Sequence, residues 1–125
     1  MNNKIKINMV GGGFQHDTCS VALNTNKFVE WDKNKHESDV SIHVDSGVLN
    51  IAPDTTKINF GWINESSAII PSVLNSVMKN VKELKKKFRF IFTYDQRLLD
   101  LDCDLFKYVQ PPGNSWIQTK KIYEK

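Results

Sequence analysis

Apolar and polar residues alternate over Lys4-Ile5-Lys6-Ile7-Asn8 and then run into Met9-Val10, just before Gly11-Gly12-Gly13. Alternation places one set of side chains on each face of an extended chain, so the spacing predicts a first strand. Phe28 to Trp31 is a second short strand, after a polar segment 14–27 of no clear type. Asp32 to Ser38 reads as a polar loop. Val40-Ser41-Ile42-His43-Val44 alternates cleanly and is a third strand; Asn50 to Lys57, with Pro53-Asp54, is turn chemistry; Ile58 to Ile63 is a further strand. The pattern then changes period. Val73, Val77, Val81, Leu84 and Phe88 recur every three or four residues, and Leu74 and Met78 widen the stripe. That spacing predicts one amphipathic helix from about Ile70 to Lys87. Ser72 beside Pro71 is its start signal, and Glu83 stands four residues before Lys87 in the favourable order for an ion pair. Lys79, Lys82, Lys85, Lys86 and Lys87 fall away from most of the stripe and read as a solvated face. Phe88 to Thr93 is a strongly apolar strand, buried on both faces if the sheet is parallel. Arg97 to Leu101 is a helical turn, and Phe106 to Gln110 a last short strand stopped by Pro111-Pro112-Gly113. Trp116 to Lys125 reads as the beginning of another helix.

Strands separated by a long amphipathic helix predict an α/β domain with a mostly parallel sheet. Ligands of such sheets sit at the carboxyl ends of the strands. Three loops are therefore of interest: Gly11 to Asp17, Asn64 to Ser67 and Tyr94 to Arg97.

Size and charge narrow the classes. The 125 residues suit one domain and are too few for two nucleotide-binding-type domains. Lys plus Arg is 17 against 14 for Asp plus Glu, a net charge of +3, and only Arg89 and Arg97 are arginines. That balance is too mild, and too poor in Arg, to predict a nucleic-acid surface. No apolar run approaches the ~18 residues of a membrane span, and the apolar stretch before Gly11 is too short for a signal peptide. Cys19 and Cys103 are too few for a disulfide framework and predict reduced thiols in a cytoplasmic compartment.

Several constellations carry candidate chemistry. In Gly11-Gly12-Gly13-Phe14-Gln15-His16, the first two glycines of a G-x-G-x-x-G fingerprint are present, but His16 stands where the third must be. Glu30 lies about where a ribose-binding acid would. No Gly-Lys-Ser/Thr follows, so the loop is not a P-loop. It is either a tight turn or an open loop where a substrate approaches the backbone, with Gln15 and His16 as polar fingers. His16, Asp17 and Cys19 include the residue types of a thiol nucleophile site, but neighbours in sequence rarely face one another in that geometry. His16, His36 and His43 match no metal-ligand spacing, so no metal is predicted, and the alternation puts His43 on a solvated or partly covered sheet face. Asn64-Glu65-Ser66 matches a glycosylation acceptor, which without secretion is chance. Glu65 itself follows an apolar strand and precedes the long helix. A carboxylate there can take a proton from a substrate hydroxyl, or with Ser66 and Ser67 simply cap the helix entrance.

Trp62-Ile63-Asn64-Glu65-Ser66-Ser67 resembles the Trp-x-x-x-Glu-Ser-Pro-Ser segment of α-1,3-fucosyltransferase-like enzymes, with one residue fewer between Trp62 and Glu65. Phe92-Thr93-Tyr94-Asp95, Asp102 to Phe106 and Tyr108 to Gly113 resemble the family's Thr-x-Tyr, Asp and Pro-Tyr-Gly stretch. Gly-Gly-Gly-Phe-Gln-His-Asp and Phe-Thr-Tyr-Asp-Gln-Arg-Leu-Leu are similar to phage-encoded and environmental relatives. The likeness covers most of residues 5 to 117. It implies a Rossmann-like sheet flanked by helices, one half of a two-domain GT-B-type architecture. Residues 1–117 would be the acceptor-side domain, and 118–125 the start of a truncated helix or linker. Glu65 would be the general base of an inverting sugar transfer that needs no metal at the nucleotide. Gly12, Gly13, Gln15, His16 and Ser66 would contact the glycan acceptor, and Trp62 would pack rather than stack on sugar. The family's Phe-Glu-Asn and Thr-Glu-Lys donor signature is absent. The nucleotide-sugar would then bind only through a C-terminal domain outside this chain, the chain would hold no cofactor and be inactive alone, and its last helix would favour self-association. A stand-alone carbohydrate-binding or regulatory module, and a flavodoxin-like nucleotide binder at the Gly11 loop, are the alternatives.

Overall fold

The computed structural model describes residues 4–11, 28–33 and 38–110. Within them six strands form one sheet: β1 (Ile5–Val10), β2 (Val29–Lys33), β3 (Val40–Val44), β4 (Ile58–Ile63), β5 (Phe90–Thr93) and β6 (Phe106–Tyr108). Their order is β2-β1-β3-β4-β5-β6, and every pairing is parallel. The helices are α1 (Gly47–Asn50), α2 (Pro71–Lys79), α3 (Val81–Lys87) and α4 (Gln96–Leu101). The chain is thus an α/β domain of Rossmann-like type. Strand order reverses between β1 and β3. In open parallel sheets such a reversal leaves a crevice at the carboxyl ends of the two strands.

All four helices bury apolar residues on one face of the sheet. Val48 of α1, Leu74 and Val77 of α2, Leu84 of α3 and Leu98 of α4 pack with Ile63, Ile91 and Phe106 in one core. Each such side chain, removed fully from water, contributes about 1.5–3 kcal/mol. The opposite face carries Met9 and Val44 with Ile42 and Trp62. Beside them Phe60 lies 6.2 Å from Phe90 and 5.9 Å from Phe92, ring centroid to centroid. Among the described residues no helix packs on this second face.

Several expectations need correction. The stripe predicted one helix over 70–87, but Asn80 leaves helical geometry at φ −112°, ψ 19° and splits it into α2 and α3. Its side-chain Nδ2–H donates to the Ser76 carbonyl at 2.7 Å, so a local side-chain bond competes with the helical ladder. Ser72 does not cap the start. Pro71 occupies the first helical position after Ile70, with no side-chain cap bond. Phe88 does not open β5. It ends α3, donating its N–H to the Leu84 carbonyl at 2.8 Å, and is buried in the helix-side core. Glu83 pairs with Lys86 at 3.1 Å rather than with Lys87.

His43 is the fourth position of β3 and is 2% exposed, not on a solvated face. Its Nδ1–H donates to the Gly47 carbonyl at 3.2 Å, and its ring meets Phe88 edge-on at 5.2 Å. Alternation alone separated the two faces correctly. It could not say that α1, a four-residue helix just ahead of the turn expected from Asn50, covers the polar one.

Candidate functional site

The carboxyl edge of the sheet is built from the residues that follow β1, β3, β4 and β5. After β1, Gly11 adopts φ +76°, a conformation that L side chains rarely take. A Cβ there would lie 2.9 Å from the Gly47 Cα, so the turn packs directly on the start of α1. The crevice between β1 and β3 is therefore closed at this point by backbone against backbone.

After β3, Asp45 takes a left-handed conformation at φ +50°, which Asp tolerates better than most residues. The turn aims its carboxylate across at the loop after β4. Asp45 Oδ1 accepts the Asn64 N–H at 2.7 Å and the Glu65 N–H at 3.1 Å. Its own N–H donates to the Trp62 carbonyl at 2.9 Å. The backbone that presents Glu65 is thus held from the neighbouring strand. Burial pushes the Asp45 carboxyl above its ordinary range, and the two amides oppose that shift.

Glu65 and Ser66 sit in this loop, both half-buried, between β4 and α2. The Ser66 carbonyl accepts the N–H groups of Ile69 and Ile70, each at 3.0 Å, and so forms the turn that leads into α2. Beside them the Asn64 Oδ1 is buried without a hydrogen-bond partner among the described residues.

After β5, the Tyr94 phenol is pushed above its ordinary range, first by burial and then by the negative fields of Glu65, Asp45 and Asp95. It therefore keeps its proton and can donate. Asp95 caps α4 by accepting the Arg97 N–H at 3.0 Å, and its carboxylate also holds the Arg97 guanidinium, Nη2 to Oδ2 at 3.0 Å. That guanidinium keeps Asp95 below the usual carboxylate range. Buried Thr93 fixes the turn, its Oγ1 accepting the Asp95 N–H at 3.1 Å.

The edge is acidic. Asp45, Glu65 and Asp95 share the field around Tyr94, while Arg97 is neutralised within its own turn. Among the described residues no group of three or more His, Cys, Asp or Glu side chains could hold a metal ion. Of the residues predicted from sequence, Glu65 and Ser66 lie at the carboxyl edge. Gly12, Gly13, Gln15 and His16 lie outside the described residues, as does the expected helix from Trp116. Asp45 was missed. Its only signal was Asp45-Ser46-Gly47 after an apolar strand, which reads equally as a plain turn. Cys103 is exposed and free. No described helix is long and apolar enough to cross a membrane.

Comparison with protein-family models, curated proteins and solved structures finds no match for this chain.

Proposed function

We propose that this chain is the acceptor-side domain of an inverting glycosyltransferase of two-domain, GT-B-type architecture, with Glu65 as general base and Ser66 beside the acceptor. The observation that carries the reading is Glu65 at the carboxyl edge, on a loop whose Asn64 and Glu65 amides are tied to Asp45. Around it the edge offers what a hydroxyl-rich ligand needs: carboxylate acceptors and a protonated Tyr94 donor.

In this reaction the acceptor hydroxyl gives its proton to the Glu65 carboxylate as its oxygen bonds to the anomeric carbon. The bond from that carbon to the nucleotide's phosphate oxygen breaks on the opposite face. The nucleoside diphosphate departs with the electron pair, from a donor half that this chain does not supply. Placing the base within reach of the hydroxyl supplies about 10²–10⁴-fold of the rate. A nucleotide binder at the same edge is less well supported. Three carboxylates with their single guanidinium already paired repel a diphosphate rather than cradle it.

Glu65→Gln, made in a protein carrying both halves, tests the role. Transfer should fall about 10²–10⁴-fold while acceptor binding persists. Unchanged transfer would remove Glu65 as the base. Acceptor binding by a wild-type protein that turns over no nucleotide-sugar would favour the binding-module alternative.

A further inference from the structure

A row of polar side chains crosses the middle of the sheet. Asn8 of β1 stands level with Ser41 of β3, and Ser41 with Asn59 of β4. Strand alternation puts all three on the face that the helices cover, opposite Met9 and Val44, with His43 two residues beyond Ser41. Each of the four is at least nine-tenths buried. Polar groups in such a place cost stability unless something bonds them. The Asn8 side chain and the Ser41 hydroxyl make no hydrogen bond among the described residues. His43 Nδ1–H donates to the Gly47 carbonyl. A carbonyl only accepts, so Nδ1 carries the ring proton and Nε2 is left as an acceptor.

Asn8, Ser41 and His43 line one cavity of about 90 Å³, with Val10, Ile51 and Ala52 as its apolar walls. The Asn8 Oδ1 is sealed from water, so the Nδ2 end of that amide and the Ser41 hydroxyl are the groups that face a ligand. Asp54 and Lys57 also line the space, one charge of each sign, so neither an anion nor a cation is favoured. The wall formed by the loop before β4 is fixed in advance. Asn59 Nδ2 donates to the carbonyls of Asp54 at 2.7 Å and Lys57 at 3.2 Å. Asp54 Oδ1 accepts the Thr56 N–H at 2.9 Å and its hydroxyl at 2.6 Å. A wall held this way loses little freedom when a ligand enters. No residue of the Glu65 loop lines the cavity, so it is separate from the carboxyl-edge site.

We propose that this cavity binds a small neutral alcohol. A water molecule takes about 30 Å³ of liquid, so the space suits about three or four non-hydrogen atoms. The ligand's hydroxyl donates to His43 Nε2 and accepts from the Ser41 hydroxyl or the Asn8 Nδ2. Its carbon chain lies against Val10, Ile51 and Ala52. Water alone meets the polar groups but leaves those walls unmatched, and a ligand that puts carbon against them while keeping one hydroxyl gains by displacing it.

The test is an amide-resolved NMR titration of the chain with 1-propanol at pH 7, beside sodium acetate, which is of similar size but charged. Propanol shifts should saturate with a Kd of about 10 mM or tighter, centre on residues 8–10, 41–43 and 51–57, and leave residues 64–67 unmoved. Acetate should give no saturable shift there. Ser41→Ala, which removes no bond to the protein, should keep the melting temperature and weaken propanol about fivefold, the worth of one hydrogen bond. Ala52→Trp, at an exposed position in the wall, should keep the fold and block binding, so the proposal stays testable if the Ser41 variant does not fold. Shifts that rise linearly or spread over the surface, as with a cosolvent, mean that the cavity holds only water and overturn the proposal. So does an Ala52→Trp variant that binds propanol as well as the parent. Acetate binding equal to propanol overturns the neutral ligand. Xenon moving these amides while propanol does not overturns the polar one, because it marks a dry apolar void.

Discussion

Replacing Asp45 separates two jobs done by one side chain, accepting two backbone N–H groups and carrying a charge. Asp45→Ala removes the acceptor of both bonds, at 2.7 and 3.1 Å, and leaves a residue without a local hydrogen bond at φ +50°. A bond to a charged acceptor contributes about 1.5–3 kcal/mol. The loop is half-buried, so water takes over part of each, and the lower figure applies. Two bonds at about 1.5 kcal/mol make the expected loss about 3 kcal/mol, before any backbone strain. Asp45→Asn keeps an oxygen acceptor, suits the left-handed conformation and removes a charge that burial disfavours. It should lie within about 1 kcal/mol of the parent. Urea unfolding at pH 7 reads the difference. With a slope near ~1.5 kcal/mol per M, the Ala midpoint falls by about 2 M and the Asn midpoint by less than about 0.7 M. The sign with pH follows from the raised carboxyl. The folded state holds this proton more tightly than the unfolded chain, so its contribution is full below the unfolded value near ~3.9 and is lost as pH rises through the folded one. The Asn variant should therefore gain on the parent as pH rises through that window. Ala and Asn variants of equal stability would refute the tether.

Three further outcomes are expected. Gly11→Ala should cost at least about 2 kcal/mol, because φ +76° strains any L side chain and the new Cβ meets the Gly47 Cα at 2.9 Å, a backbone atom that cannot swing aside; thermal unfolding measures it. Burial lowers the His43 pKa, so stability is full above about 6.5 and declines as pH falls toward the folded value. His43→Gln should flatten that part of the stability–pH curve, and a parent and variant with parallel curves would show that His43 does not titrate on unfolding. Lys85→Ala should leave the denaturation midpoint essentially where it is in the parent, since its partner Asp102 keeps two amide donors and the lysine is exposed; chemical denaturation checks this.

Sheet class and strand positions were legible because period-two alternation over residues 4–10, 40–44 and 58–63 is a local property. The loop carrying Glu65 was legible for the same reason, as the segment between an apolar strand and an amphipathic helix. What failed depended on partners distant in sequence. His43 alternates like a surface residue but is covered by α1 and Phe88. Asn80 fits a helical stripe yet bonds back to Ser76 and breaks it. Asp45 reads as a turn residue, and its tie to a loop some twenty residues on depends on β3 and β4 being neighbours. Asn59 alternates like any strand residue. Only the structure shows that its amide is anchored on one side and unmet on the other.

The central claim is that the carboxyl edge around Glu65 receives a sugar hydroxyl. Its most direct test is an amide-resolved NMR titration of this chain with a panel of neutral oligosaccharides, run beside a nucleoside diphosphate. At least one oligosaccharide should give saturable shifts at Asp45, Asn64 to Ser67 and Tyr94, and the nucleoside diphosphate should leave those residues unmoved. Nucleotide-dependent shifts at that edge, with every oligosaccharide silent, would contradict the claim.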